Sequence, residues 1–278
     1  MIPAGREFFK MSGSGNDFVM IDARNEPPGE LATPDVIGRV CARATGVGAD
    51  GIVFLERSSV ADVRLTYLNS DGSRADLCGN ATLCTTRLSV ELGIGDPSGF
   101  QIETDSGVVA ARMAGPLPEI DLPAVLDVRP SADGIPTATG ERRIGFALVG
   151  VPHLVIACDD VSTVDVVGRG RPLRRHPSLP FGANVNFVAQ QPGTGRWRMR
   201  TYERGVEAET LACGSGSVAT AILLASWSNE SGAEQIVELV TSSGNSLQVR
   251  IRRDGSAWFP TLRGEGRVVF HGELSEMV

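Results

Sequence analysis

Residues 67–84, YLNSDGSRADLCGNATLC, and residues 202–217, YERGVEAETLACGSGS, follow one plan. In each, a β-rich run closes on polar residues, a loop carrying Gly follows, and Cys-Gly opens a helical stretch, at Cys78-Gly79 and at Cys213-Gly214. Tyr67 precedes Cys78 by eleven residues, and Tyr202 precedes Cys213 by eleven. Gly107 lies 29 residues beyond Cys78, and Gly244 lies 31 beyond Cys213. A plan repeated at matching distances predicts duplicated α+β units.

Outward from these blocks, β-branched apolar runs at 17–21, 52–55, 63–68, 101–104 and 108–112 read as strands, as does the run through Lys10. Helical spacing appears at 34–44, with Pro34 suited to a first turn after Thr33, and at 78–92, stopping at Gly93. The second half repeats the order, with strands at 144–149, 153–157, 184–189 and 197–202, a helix at 214–227, then strands at 236–240, 247–251 and 257–262. The Pro-rich stretch 116–123 reads as the linker, and the last strand, 267–271, as returning to the first domain. The expected domains are 1–118, to which 264–278 returns, and 119–263.

At 278 residues the chain is long enough for two modest cores. Its net charge of −7 gives no basic stripe for phosphates, which argues against nucleic acid and for a small-molecule partner. No stretch approaches the roughly 18 apolar residues of a membrane span, and MIPAGREFFK lacks the apolar core of a signal peptide. The expected location is the cytoplasm, away from membranes. Five scattered cysteines, an odd number, suit a reducing compartment better than a disulfide framework. Lys10 is the single lysine, in a strand, which argues against a pyridoxal-phosphate Schiff base. No Cys or His falls at zinc spacing near Cys213, so neither cofactor nor metal is expected.

A cysteine at a helix start stands where unpaired N–H groups and the helix dipole favour the thiolate, a usable base near neutral pH. The same N–H groups attract a carboxylate, and Gly79 and Gly214 let it approach the backbone. If the duplicated domains face each other across a cleft, two sulfurs flank one substrate Cα. One thiolate takes the α-proton, the opposite thiol supplies another, and the centre inverts. Cys41, Cys84 and Cys158, in apolar runs, read as small core hydrophobes.

The segments 10–18 (KMSGSGNDF), 46–51 (GVGADG), 69–80 (NSDGSRADLCGN), Pro152-His153, 184–187 (NVNF) and the Glu203-Arg204-Gly to Cys213-Gly-Ser-Gly block together resemble the diaminopimelate epimerase family nearly end to end. The resemblance implies two pseudo-symmetric domains, each a mainly antiparallel curved sheet around a central helix, with the active site in the cleft between them, and a homodimer. It implies PLP-independent interconversion of LL- and meso-2,6-diaminopimelate in lysine biosynthesis. Cys78 and Cys213 would be acid and base, with His153 and Glu203 tuning them. Asn16, Asn69, Asn184 and Arg204 would bind the distal amino-acid end, Gly79-Asn80 and Gly214-Ser215 the reacting carboxylate, and Glu203 an amino group.

Simpler roles stand beside these. Asn16 suits a turn, Asn69 a strand cap, Glu203 and Arg204 a solvated ion pair, and His153 a hydrogen-bonded strand position. Val151 stands where many relatives have Asn, Gly51 where some have Gln, and Leu83 where Arg is frequent, so no substrate contact is carried to them. The loop 205–209 is one residue longer than the commonest family form. Rival readings are a proline, hydroxyproline or histidine racemase of the same superfamily, or a non-catalytic amino-acid-binding protein. The Asn and Arg cluster favours a substrate with a second charged end over proline, and the Cys pair favours turnover.

Overall fold

In this computed structural model, which describes residues 5–75, 77–228 and 234–275, the chain divides into two units, Met1–Ile120 with Arg263–Val278, and Asp121–Leu262. The first holds β1 (Arg6–Gly13), β2 (Asn16–Asp22), α1 (Pro34–Cys41), β3 (Gly51–Glu56), β4 (Val63–Asn69), α2 (Gly79–Glu91), β5 (Phe100–Thr104), β6 (Gly107–Ala114) and β7 (Leu117–Asp121). The second holds β8 (Val128–Arg129), β9 (Glu141–Val149), β10 (Val151–Cys158), α3 (Val166–Arg174), β11 (Asn184–Gln190), β12 (Trp197–Glu203), β13 (Ala208–Thr210), α4 (Gly214–Trp227), β14 (Glu234–Val240), β15 (Ser246–Asp254) and β16 (Ala257–Arg263). A last strand, β17 (Arg267–Leu274), pairs antiparallel with β1.

The duplication lies in the order of pairings. In the first unit β1–β2 is antiparallel, β2–β3 parallel, β3–β4 antiparallel, β4–β5 parallel and β5–β6 antiparallel. The second unit repeats this through β9–β10, β10–β11, β11–β12, β12–β14 and β14–β15. Parallel neighbours require a crossover, and the helices provide it: α1 and α3 for the first parallel pair of each unit, α2 and α4 for the second.

Each sheet is sandwiched between its two helices. Val19, Ile21, Ile52, Phe54 and Leu68 pack on Val36, Ile37, Val40 and Cys41 of α1. Alternate positions such as Phe18 and Tyr67 point to the α2 side. In the second unit Leu154, Ile156, Val185 and Phe187 pack with Val166 and Leu173 of α3. The opposite face carries His153, Asn184, Asn186 and Thr201 on the α4 side. The α4 sequence GSGSVATAILLASW is apolar around its circumference and is buried on nearly every side, as a central helix must be.

Ladder register corrects the tyrosine count. Val63 pairs with Ile102 and Trp197 with Leu239, while Gly51 faces Asn69 and Val185 faces Tyr202. These pairs align Asn69 with Glu203, and Tyr67 with Thr201 rather than Tyr202. A one-residue offset turns a strand side chain to the other face. Tyr67 accordingly meets Phe18 edge-on with ring centroids 5.8 Å apart, whereas Tyr202 joins the α3-side core. The additional residue lies in the loop before Cys213, where Glu207 takes a left-handed φ of 59°.

Three further differences have local causes. Helix α1 stops at Cys41 because the chain turns back at Ala42, bringing Gly46 so close that a Cβ there would overlap the Arg39 carbonyl. The stretch read as a linker contains β7, whose nearly buried Glu119 carboxylate meets Arg112 Nη2 at 2.6 Å. Helix α3 escapes sequence reading because Gly168, Gly170 and Pro172 are poor helix formers. The Asp165 carboxylate caps it by accepting the Gly168 N–H at 2.9 Å, and Val166 and Leu173 anchor it. Among the described residues no helix is long and apolar enough to cross a membrane.

Candidate active site

The same helix cap is built twice. Cys78 and Cys213 are the N-caps of α2 and α4, both in extended conformation, at φ −123° and −140°. The Cys78 carbonyl accepts the Thr82 N–H and hydroxyl, each at 2.9 Å. The Cys213 carbonyl accepts the Ser217 N–H and hydroxyl at the same distances. The sulfurs differ. Cys213 Sγ accepts the Gly216 N–H at 3.3 Å and lies 3.7 Å from Ser215 Oγ, whereas the Cys78 side chain makes no cap hydrogen bond and is half-buried.

The other cysteines have no such setting. Burial raises Cys41 and Cys158 to about 11, and pushes the fully buried Cys84 thiol well above its usual range. They remain protonated packing groups. The ammonium of Lys10 is also committed, donating to Asp17 Oδ2 at 2.6 Å and to the Gly48 carbonyl. Among the described residues no group of three His, Cys, Asp or Glu could hold a metal ion.

In the first unit, strand β2 starts with Asn16 beside the first turn of α2. Asn16 Nδ2 donates to Asp50 Oδ2 at 3.0 Å, which leaves its Oδ1 to accept from Asn80 Nδ2 at 2.6 Å. That chain of bonds fixes both amides, and the buried Asn80 Oδ1 has no protein partner among the described residues. Asn69 closes β4, its Oδ1 accepting from the Tyr67 hydroxyl and its Nδ2 donating to Ser73. Its amide is engaged within its own turn, the geometry of a strand cap. A Cβ at Gly51 would stand 2.5 Å from both the Tyr67 ring and the Leu68 carbonyl, so a longer residue there requires a different Tyr67.

In the second unit Asn184 Oδ1 accepts the Arg204 backbone N–H at 2.7 Å, and the Arg204 guanidinium donates to the Phe181 carbonyl at 3.1 Å. Glu203 Oε2 accepts from Thr210 Oγ1 at 2.7 Å, tying the end of β12 to the end of β13, shortly before Cys213. His153 is fully buried. Its Nδ1 lies 3.2 Å from Asn186 Nδ2, and its Nε2 has no protein partner among the described residues. Sequence reading gave Asn186 no role. Its only signal is that two asparagines, Asn184 and Asn186, share one face of an otherwise apolar strand.

Burial, then the nearby Arg204 charge, lowers the His153 pKa to about 3. The unfolded chain takes up this proton below about pH 6.5, while the folded protein does so only near 3. The stability is therefore intact above pH 6.5 and erodes as pH falls. At pH 5 it should cost about 2 kcal/mol relative to neutral pH. Urea unfolding at pH 7 and 5 checks this: the wild type should lose about 2 kcal/mol more than His153→Gln, and equal losses would refute it.

A model of the diaminopimelate epimerase family matches residues 8–116 and 145–269. A diaminopimelate epimerase of Gemmatimonas aurantiaca is 50% identical over 277 residues, covering 96% of this chain and 99% of the relative. Among solved structures, a phenazine biosynthesis protein of the PhzF family from Bacillus anthracis aligns with a TM-score of 0.79 at 15% identity, covering 98% of this chain and 99% of that one. A hydroxyproline epimerase from Agrobacterium vitis, with bound trans-4-hydroxy-L-proline, aligns at 0.69 and 17% identity, covering 100% and 94%. These structural likenesses carry the duplicated two-domain α+β fold.

Proposed function

The chain belongs to the diaminopimelate epimerase family, and on that footing we propose that it interconverts LL- and meso-2,6-diaminopimelate, in the route to lysine and cell-wall precursors, by proton transfer at Cα to a thiolate on one face and from a thiol on the other. A thiolate forms an S–H bond as the Cα–H bond breaks, and the electron pair is held by the adjacent carboxylate. The second thiol gives its proton to the opposite face of the carbon and becomes the thiolate. The charge and proton count are unchanged, and the reverse reaction exchanges the two roles.

Cys78 and Cys213 are the proposed pair, and the duplicated cap is the observation that carries this reading: one cysteine per unit, each at the end of a buried helix whose first amides favour negative charge. Gly79-Asn80 and Gly214-Ser215 would meet the reacting carboxylate with those amides. Asn16, Asn69, Asn184 and Arg204 would take the distal amino-acid end. Glu203 would hold an amino group, and His153 with Glu203 would tune the thiols. The proposed working form is a cytosolic homodimer, to be checked by sedimentation of the purified enzyme.

In deuterated, reducing buffer without added cofactor, diaminopimelate should gain deuterium at an α-carbon as it epimerises, and proline should gain none, as read by mass spectrometry. Exchange into proline with none into diaminopimelate would overturn the substrate.

A further inference from the structure

Asn186 has four hydrogen-bonding positions, and its surroundings determine how three are used. A backbone carbonyl accepts only, so the amide nitrogen, not the oxygen, must face Leu154 O, which it does at 3.0 Å. Its second N–H then points to His153 Nδ1 at 3.2 Å. Oδ1 faces the other way and accepts from Thr201 Oγ1 at 2.9 Å. A ring nitrogen receiving an N–H must offer its lone pair, so the proton of the neutral ring sits on Nε2. That nitrogen is buried and has no protein partner among the described residues.

We propose that Asn186 is a positioning residue that fixes His153 as the neutral Nε2–H tautomer, making the ring a stationary hydrogen-bond donor for an anionic acceptor on the α4 side rather than a proton carrier. Asn186 itself adjoins the Cys213 cap: a Cβ built on Gly216 would overlap Asn186 Oδ1 and stand 3.0 Å from Cys213 Sγ. Ladder neighbours Ala147 and Asn184 carry no charge, and Arg204 is the charged group acting on the ring. Burial keeps the ring neutral. This rests on the epimerase reading only for the identity of the acceptor.

The test is 15N NMR of protein labelled at its three histidines, with His153→Gln to assign the signal. The resting wild type should show a pyrrole-type Nε2 and a pyridine-type Nδ1, unchanged from pH 8 to 5. A proton on Nδ1, or titration near 6.5, overturns the proposal. Asn186→Asp supplies an acceptor where a donor stood. It should move the proton to Nδ1, lower kcat about tenfold with a smaller change in KM, and add a histidine limb to the pH profile. If the variant folds with the wild-type tautomer and pH profile, Asn186 is merely structural. Absence of diaminopimelate turnover in the wild type would instead strike the functional reading and leave the tautomer standing.

Discussion

Cys78→Ala and Cys213→Ala should each reduce kcat for epimerisation by about a thousandfold or more, within the range general acid–base groups contribute. Inversion needs a group to remove a proton and another to supply one on the opposite face, so losing either stops the cycle in both directions. The losses should not add, because the double variant removes a function already absent from each single one. Cys84→Ala provides the contrast: its thiol is fully buried and held protonated. That variant should lose about 1–2 kcal/mol of stability and retain near-wild-type kcat. Coupled measurements of kcat and urea stability separate the cases. Near-full activity in either Cys78→Ala or Cys213→Ala would end the two-thiol mechanism.

Most of the architecture could be read from the chain because each strand carries a β-branched run and each central helix begins at a Cys-Gly pair. Helices α2 and α4 fall where their spacing predicts, with Cys78 and Cys213 at their caps. What resisted reading was set by packing. Helix α3 survives on a cap and three buried residues despite Pro172, and β7, whose Glu119 pairs with Arg112, lies in a stretch where proline content hides it. The Tyr67 and Tyr202 spacing shows how counting fails: a repeat in sequence distance ignores a loop insertion, and on a strand an error of one residue reverses the face.

The candidate site is legible only as far as residue types and spacing go. Residue types and spacing point to the two sulfurs and the glycines beside them. They do not say which lone pair or N–H each polar side chain has already committed. Asn69 spends its amide on its own turn, while Asn80 keeps an unpartnered oxygen. Asn186 emerges only once β11 is laid beside β10, since its partners are fixed by register and not by proximity in sequence.

Gly216→Ala should show the second largest effect, about a hundredfold loss in kcat, the scale expected when a reacting group shifts by around an ångström. Helix propensity alone argues the opposite, since alanine in place of glycine within a helix is worth up to about 1 kcal/mol. Space decides the sign. The new methyl would overlap Asn186 Oδ1 and press on Cys213 Sγ from 3.0 Å, and neither can yield without cost. The amide is tied to Thr201 and Leu154, and the sulfur holds the Gly216 N–H. Net destabilisation of about 1–3 kcal/mol should accompany the kinetic loss, as for overpacked sites. Gly38→Ala isolates propensity, because Gly38 lies on the exposed side of α1 with its nearest neighbour, the Ser70 carbonyl, 3.9 Å from the added carbon. It should gain about 0.5–1 kcal/mol and leave kcat unchanged. If Gly216→Ala behaves like Gly38→Ala in both stability and kcat, the close approach of Asn186 to the Cys213 cap has no part in catalysis.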